Sequence, residues 1–352
     1  VAIIDNVCKP SGVAAVKRTS IKDIARLAKT SHSTVSRALR GSPLVNEDTA
    51  AKIRRIAEQC GYAPSAAARS LVTQRSNSAG VVVTTISDPF EAEVVCGIED
   101  TADKEGFTIL LADSNGDPDR EMRAVALLEE RRVDGILVTS SRVGALYLRM
   151  LSRMRIPIVL LNSHHPSEFV HSVMIDNTES SLAATRHLIQ LGHRRIAYMG
   201  DRFGDQSDTE RFAGYRRALN EADLPFEPEL VIHGDGKADG GASAMSTLLS
   251  LAKPPTAVFC YNDATALGAM RQAHARGLAI PADLSIVGFD DLFFAEYTQP
   301  PLTTVRQPAR KMGRLAMEAL LKLLAGGDAM PTQRIPGELI IRESTAAPRK
   351  LK

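Results

Sequence analysis

The sequence predicts an all-α N-terminal headpiece joined to an α/β core of two parallel-sheet lobes. Three observations carry this. Ile21, Ile24, Ala25, Leu27 and Ala28, then Val35, Ala38 and Leu39, fall at helical spacing with a tight break between the two sets. From Gly80 onward, near-continuous apolar runs alternate with amphipathic stretches, and the whole series occurs twice. Between Lys17 and Arg75, twelve cations face four anions, a net charge of about +8, whereas the remainder of the 352-residue chain is net acidic.

The first two helices are predicted over Ile21–Leu39, with Ser31 as N-cap of the second. His32, Ser33, Thr34, Ser36 and Arg37 then crowd the start of that helix, all able to hydrogen-bond. A helix-turn-helix offers this face to base edges in the DNA major groove. A third helix runs from an Asn46 cap, with Glu47 and Asp48 favouring its start, to about Cys60. Ser65 to Val72 can form one further short helix on Ala66, Ala67 and Ala68, too short to be stable alone. The polar stretch after it, to Ser78, reads as a linker.

Thr34-Val35-Ser36-Arg37-Ala38-Leu39, Gly61-Tyr62-Ala63-Pro64 and Ala68-Arg69-Ser70-Leu71 resemble the headpiece of the LacI/GalR family of bacterial transcriptional regulators. The resemblance runs from about Ser20 to Ala346. It implies double-stranded, palindromic operator DNA as partner, read by Ser31, His32, Ser33, Thr34, Ser36, Arg37 and Arg40. It further implies a hinge helix that folds against DNA, with Ser65 and Arg69 at the duplex and Leu71 as an apolar wedge in the minor groove. The domains implied are an extension over 1–18 without stable structure, a DNA-binding domain over 19–64, a hinge and linker over 65–78, a core over 79–346 and a tail over 347–352. Two residues depart from the pattern. Lys29 stands where the family usually has the glycine of the turn, and Arg40 where it usually has asparagine. A non-glycine residue at positive φ is strained, so Lys29 predicts a turn built slightly differently.

In the core, strands are predicted at Gly80–Thr84, Thr108–Ala112, Gly135–Val138 and Ile158–Leu161, with helices over Glu91–Glu105 and Arg120–Arg131 between them. The second series is Arg195–Met199, Leu230–Ile232, Ala257–Cys260 and Ser285–Phe289. Two such lobes form a periplasmic-binding-protein-like core: lobe 1 over about 79–175 and 308–330, lobe 2 over about 176–306 and 331–346. Ligands of such sheets bind at the carboxyl ends of strands, here in the cleft between lobes. Polar residues following strands are therefore the candidates, and the resemblance points to the same places. They are Asp88 with Phe90, Asn162, Asn262, Asp290 and Gln307, with Arg211 opening a helix Arg211–Tyr215. Each has a plainer reading: an Arg211–Asp290 ion pair between the lobes, a helix cap at Asn262, a turn at Asp88, and caps at Asp263 and Asp291.

The set suits a polyol. Arg211 offers a fork of donors, Asp290 accepts from adjacent hydroxyls, and the amides do both. The expected effector is a sugar or sugar derivative, the alternative a purine or an amine-bearing metabolite. Sugar-binding relatives often place an aromatic residue directly after the one at Phe90 and another in the second lobe; here stand Glu91 and an aromatic-free Gly234–Lys237. Phe293 or Phe294 can substitute, while Glu91 either favours an amine or points to solvent.

Other classes find little support. The four cysteines lack metal spacing, no apolar run spans a membrane, and residues 1–16 hold no secretory h-region. No GxSxG elbow, Walker loop or GxGxxG follows a strand. His164, His165 and His171 read as a solvated loop rather than a metal site. An exported solute-binding protein would lack the basic headpiece, and a fused enzyme would need a base or nucleophile in the cleft. The sequence thus predicts a cytoplasmic homodimeric repressor of carbohydrate-metabolism genes, nucleoid-associated when DNA-bound, gated by a small molecule, with no cofactor, metal, membrane partner or catalytic residue. Helices Glu91–Glu105 and Arg310–Leu324 are candidates for its dimer face, although their apolar faces could equally be core within a lobe.

Overall fold

The computed structural model describes residues 19–62, 75–141, 143, 156–163, 171–203, 206–327 and 332–349. The chain divides into two compact units, 1–76 and 77–352. The hinge residues Ser65, Arg69 and Leu71, the extension over 1–18 and His164 and His165 lie outside the described residues.

In the first unit, α1 (Ile21–Ala28), α2 (His32–Leu39) and α3 (Glu47–Gln59) enclose a small core of Ile24, Ala25, Ala28, Val35, Ala38, Ala50 and Ile53. Each helix starts on a side-chain cap. The Ser20 hydroxyl and the Asp23 carboxylate form a reciprocal capping box, Ser31 accepts from the Thr34 N–H, and Asn46 accepts from the Asp48 N–H. Lys29 ends α1 at φ 54°, in the left-handed region. The turn is therefore the one a glycine would make, and the lysine bears the strain.

In the second unit, lobe 1 contains β1 (Ser78–Val83), α4 (Pro89–Lys104), β2 (Thr108–Asp113), α5 (Pro118–Glu130), β3 (Gly135–Thr139), β4 (Ile158–Leu161) and β5 (His171–Ile175). Lobe 2 follows with α6 (Asn177–Gln190), β6 (Ile196–Asp201), α7 (Gln206–Glu221), β7 (Val231–Gly234), α8 (Ala238–Leu249), β8 (Ala257–Cys260), α9 (Asp263–Ala275), β9 (Ser285–Asp290) and β10 (Thr303–Arg306). The chain then returns through α10 (Ala309–Leu324), β11 (Gln333–Ile335) and β12 (Glu338–Ile340). Strand orders are β11-β5-β4-β3-β1-β2 and β12-β10-β9-β8-β6-β7, parallel except where β12 runs against β10.

The chain crosses between lobes after β5, after β10 and after β11. The crossovers are tied together: the Asp176 N–H donates to the Ile335 carbonyl at 2.8 Å, and the Gly337 N–H to the Ser180 hydroxyl at 3.2 Å. Because β11 pairs with β5, the expected return to lobe 2 at 331 moves to between Ile335 and Glu338.

Three further expectations change. The helix holding Arg211 begins at Gln206, so Arg211 lies inside it rather than at its start. His171 opens the buried strand β5 instead of lying in a solvated loop. The apolar faces of α4 and α10 meet each other over lobe 1, burying Val94, Ile98, Ala102, Met312, Ala316 and Leu320. Gly97 and Gly313 permit that approach, since a Cβ on either would strike a backbone carbonyl of the other helix. These faces are lobe core and are not available as a dimer face.

Candidate effector site and nucleic-acid interface

Within the second unit, a cavity of about 380 Å³ lies between the lobes. Its wall is built from residues that follow strand ends, as a doubly wound sheet dictates. Lobe 1 contributes Thr84, Thr85, Ser87, Asp88 and Glu91 after β1, Asn115 after β2 and Ser140 after β3. Lobe 2 contributes Asp201 and Phe203 at the end of β6, Asp235, Gly236 and Lys237 after β7, and Tyr261 and Asn262 after β8.

Of the expected effector residues, Asp88 and Asn262 line this cavity. Both are also helix caps. Asp88 Oδ1 accepts from the Phe90 N–H at 2.9 Å, and Asn262 Oδ1 from the Thr265 N–H at 2.8 Å. Asn262 Nδ2 donates to the Gly236 carbonyl at 2.9 Å, bracing one cavity wall against another. Burial raises the Asp88 carboxyl above the usual range, with the Phe90 N–H and the Arg211 charge opposing.

The other five do not line it. Phe90 is buried in the core of lobe 1. Asn162 sits at φ 50° with Oδ1 accepting no hydrogen bond. Arg211 and Asp290 both belong to lobe 2 and form no ion pair, which removes the interlobe reading. Instead, Arg211 Nε donates to Asn177 Oδ1 at 2.9 Å and Nη1 to the Tyr261 carbonyl at 2.5 Å. Its guanidinium carbon lies 3.7 Å from the ring centroid of Phe289 and 4.7 Å from that of Tyr261. Arg211 therefore reaches the cavity through Tyr261, as a positioning residue. Asp290 accepts from Gln307 Nε2 at 2.6 Å, and burial holds its carboxyl well above the usual range.

Residues not foreseen complete the site. Tyr261 and Phe203 supply the rings that the sequence seemed to lack in lobe 2; Tyr261 directly follows β8, and Phe203 lies past the end of β6. Phe293 is 72% exposed and Phe294 packs on the core of lobe 1, so neither substitutes. Asp263 does not cap α9: it accepts from the Leu292 N–H at 2.8 Å and the Thr304 hydroxyl at 2.6 Å. Asp291 is held by Arg306 and Arg342, each at 2.7 Å.

Glu91 resolves an open alternative. It does not point to solvent: only 2% of it is exposed, and it lines the cavity. Burial pushes its carboxyl up to about 8, while the nearby Thr139, Ser140 and Thr84 hydroxyls pull the other way and the Asp88 charge adds to the rise. Its Oε2 has no hydrogen-bond partner.

On the headpiece, Ser31, His32, Ser33, Arg37 and Arg40 are exposed, and Thr34 and Ser36 half-buried. The Ser31 hydroxyl lies 2.7 Å from that of Ser33 and 2.8 Å from that of Thr34, so capping and the polar face share one network. Arg40 Nε donates to the Ser36 carbonyl at 3.0 Å, laying its cation along the C-terminal turn of α2. Arg37, with no such intrahelical tie among the described residues, is the freer cation.

Residues 20–65 match the bacterial regulatory proteins of the lacI family, and residues 185–345 a periplasmic binding protein-like domain. Over 310 residues the chain is 36% identical to the HTH-type transcriptional repressor PurR of Vibrio atlanticus (strain LGP32), covering 88% of this chain and 93% of that one. The chain belongs to the lacI family. It is a DNA-binding transcriptional repressor. PurR of Vibrio campbellii (strain ATCC BAA-1116) is 38% identical over 304 residues, 86% of this chain and 91% of that one.

Among solved lacI-family structures, the lac repressor dimer bound to operator and the anti-inducer ONPF aligns with a TM-score of 0.87 at 27% identity, over 94% of this chain and 100% of that one. The complex of the transcriptional regulator CelR with cellobiose aligns with a TM-score of 0.72 at 32% identity, over 93% and 100%. No helix among the described residues is long and apolar enough to cross a membrane.

Proposed function

We infer that this lacI-family repressor is gated by a small polyhydroxylated ligand, a sugar or sugar derivative, held in the cavity between its lobes. The observation that carries the reading is the composition of the wall. Hydroxyls, amides and carboxylates from Thr84, Ser87, Asn115, Asn262 and Asp235 surround the space, with the Phe203 and Tyr261 rings on one side. Carboxylates accept from vicinal hydroxyls and rings cover the apolar face of a pyranose or furanose. Two solved relatives carry sugars, cellobiose in one and ribose in another. A flat purine fits less well, because both rings belong to lobe 2 and the wall opposite is polar. Among the described residues, the Asp88, Asp201 and Asp235 carboxylates against Lys237 also disfavour a phosphorylated ligand.

Ligand held by both lobes closes the cleft, and closure alters the spacing of two headpieces in a homodimer. Coupling of about 1–3 kcal/mol suffices for such a switch. One relative is a dimer on its operator. With α4 and α10 committed to the core, the exposed Leu110 and Leu111 of β2 and Leu127 of α5 offer apolar surface for the twofold contact. Ser31, His32, Ser33, Thr34, Ser36, Arg37 and Arg40 read the operator, aided by Ser65, Arg69 and Leu71, and the repressor acts in the cytoplasm. Titration calorimetry of the full chain against neutral hexoses, pentoses and disaccharides tests the reading. Micromolar binding of one of them, lost in Tyr261→Ala, is expected; binding only by purines or amino acids overturns it.

A further inference from the structure

Glu91 is the cavity residue that the polyol reading leaves unexplained. It stands at the third position of α4, so the backbone fixes it against lobe 1 while its carboxylate faces the cavity. Oε2 is buried and accepts no hydrogen bond. Ionising a buried carboxyl that has one unpartnered oxygen is costly, and a ligand that brings a cationic donor offsets that cost. The surroundings indicate the donor's sign. Among the described residues, the cavity is walled by Asp88, Glu91, Asp201 and Asp235, with Lys237 the one cation, on the lobe 2 side. On the lobe 1 side, the neighbours of Glu91 are the hydroxyls of Thr84, Thr139 and Ser140 and the carboxylate of Asp88. Among the described residues, no lobe 1 cation lines the cavity.

We propose that the effector carries a protonated amine on its polyhydroxylated frame, and that the Glu91 carboxylate selects it by accepting from the ammonium. This rests on the sugar-like reading above and narrows it to amino sugars and amino polyols. A neutral hydroxyl would leave the acidic wall uncompensated, whereas an ammonium offers three donors and a full charge to it. At neutral pH the empty site holds Glu91 largely protonated. Engaging the ammonium then sends the carboxyl proton to the buffer, so binding releases close to one proton and tightens as pH rises toward 8. The groups that face Glu91 and act on this proton are Asp88 and the three hydroxyls, with Arg211 acting on Asp88.

The test is calorimetry of the full chain at pH 7 in two buffers of different ionisation enthalpy. The probes are glucosamine, galactosamine and mannosamine, the corresponding neutral hexoses, and the N-acetyl derivatives that lack the charge. An amino sugar is expected to bind about 10- to 100-fold more tightly than its neutral and acetylated counterparts, with proton release. Glu91→Gln, which keeps the shape and the fold, is expected to erase both the preference and the proton release. Equal or tighter binding of the neutral hexoses would overturn the amine assignment and leave the sugar-like reading standing. Preference for the amine retained in Glu91→Gln would remove Glu91 from the role. Binding by neither series would overturn the amine assignment, and the sugar-like reading would fall with it if the pentoses and disaccharides of the first titration were also silent.

Discussion

Gln307 donates from Nε2 to Asp290 Oδ1 at 2.6 Å, and both side chains are buried where lobe 2 hands the chain back to lobe 1. The Gln307 N–H also donates to the Asp290 carbonyl at 3.2 Å, so the pair fastens the crossover twice. Asp290 adopts φ 117°, a strained conformation that glycine favours and other residues rarely take. These two residues therefore shape the joint between the lobes and do not line the cavity.

Replacing Asp290 separates its bond from its charge. Burial raises its carboxyl well above the usual range, so its contribution to stability is largest at low pH and is lost as pH rises toward the folded value. Asp290→Asn keeps an acceptor for Gln307 without a carboxylate to ionise. It is expected to unfold at higher urea than the parent at pH 8 and to match it near pH 4. Asp290→Ala leaves the Gln307 amide unpaired and should cost about 1–3 kcal/mol at either pH. Urea unfolding of both variants at the two pH values checks this.

Glu91 predicts a stability profile of its own. Its carboxyl moves from 4.5 to about 8 on folding, so the protein is most stable below pH 4.5 with respect to this group and loses stability as pH rises to about 8. Glu91→Gln removes that loss. At pH 7 the ligand-free variant should gain up to about 3 kcal/mol over the parent, and the gain should shrink toward zero near pH 4.5. Thermal melts across this range read the difference directly.

Much of the fold was legible because it follows from local rules. Ser31 and Asn46 cap the helices that their positions announce, and strands such as Ile158–Leu161 and Ala257–Cys260 run where continuous apolar stretches require burial on both faces. The site was less legible. Asp88 and Asn262 line the cavity, whereas Arg211, Asn162, Asp290 and Gln307 are buried and not part of its wall, because adjacency to a strand end does not say which way a side chain turns. His171 was misplaced because Asn162 and β5 are separated by a connection with no periodicity to read. Glu91 was ambiguous for a different reason. A charged residue at the start of a helix is ordinarily solvated, and only the packing of lobe 1 around it shows otherwise.

The turn of the headpiece carries strain that can be relieved. Lys29 at φ 54° occupies a conformation that glycine adopts without penalty. Lys29→Gly is expected to stabilise the headpiece by about 1 kcal/mol. Slower hydrogen exchange in α1 and α2 of the full-length variant, with no change in the core, checks this. Unchanged or faster exchange contradicts it.

Arg37 is an exposed cation on α2, the helix proposed above to read the operator. Arg37→Ala should weaken binding to the selected operator by about 10- to 100-fold. Ligand binding by the core should be unaffected. If Arg37 contacts a phosphate, the slope of log affinity against log salt should fall by about one; if it reads a guanine, discrimination at one base pair should relax. Binding titrations at several salt concentrations separate the two.

The central claim is that one chain couples a DNA-reading headpiece to a ligand in the cleft. Selection from random duplexes by the full-length protein, followed by titration of the winning duplex with and without the cavity ligand, tests it most directly. A palindromic sequence is expected, with an affinity that changes about 5- to 150-fold when ligand is added. Enrichment of no palindrome, or an affinity indifferent to a ligand shown to bind the core, would contradict it.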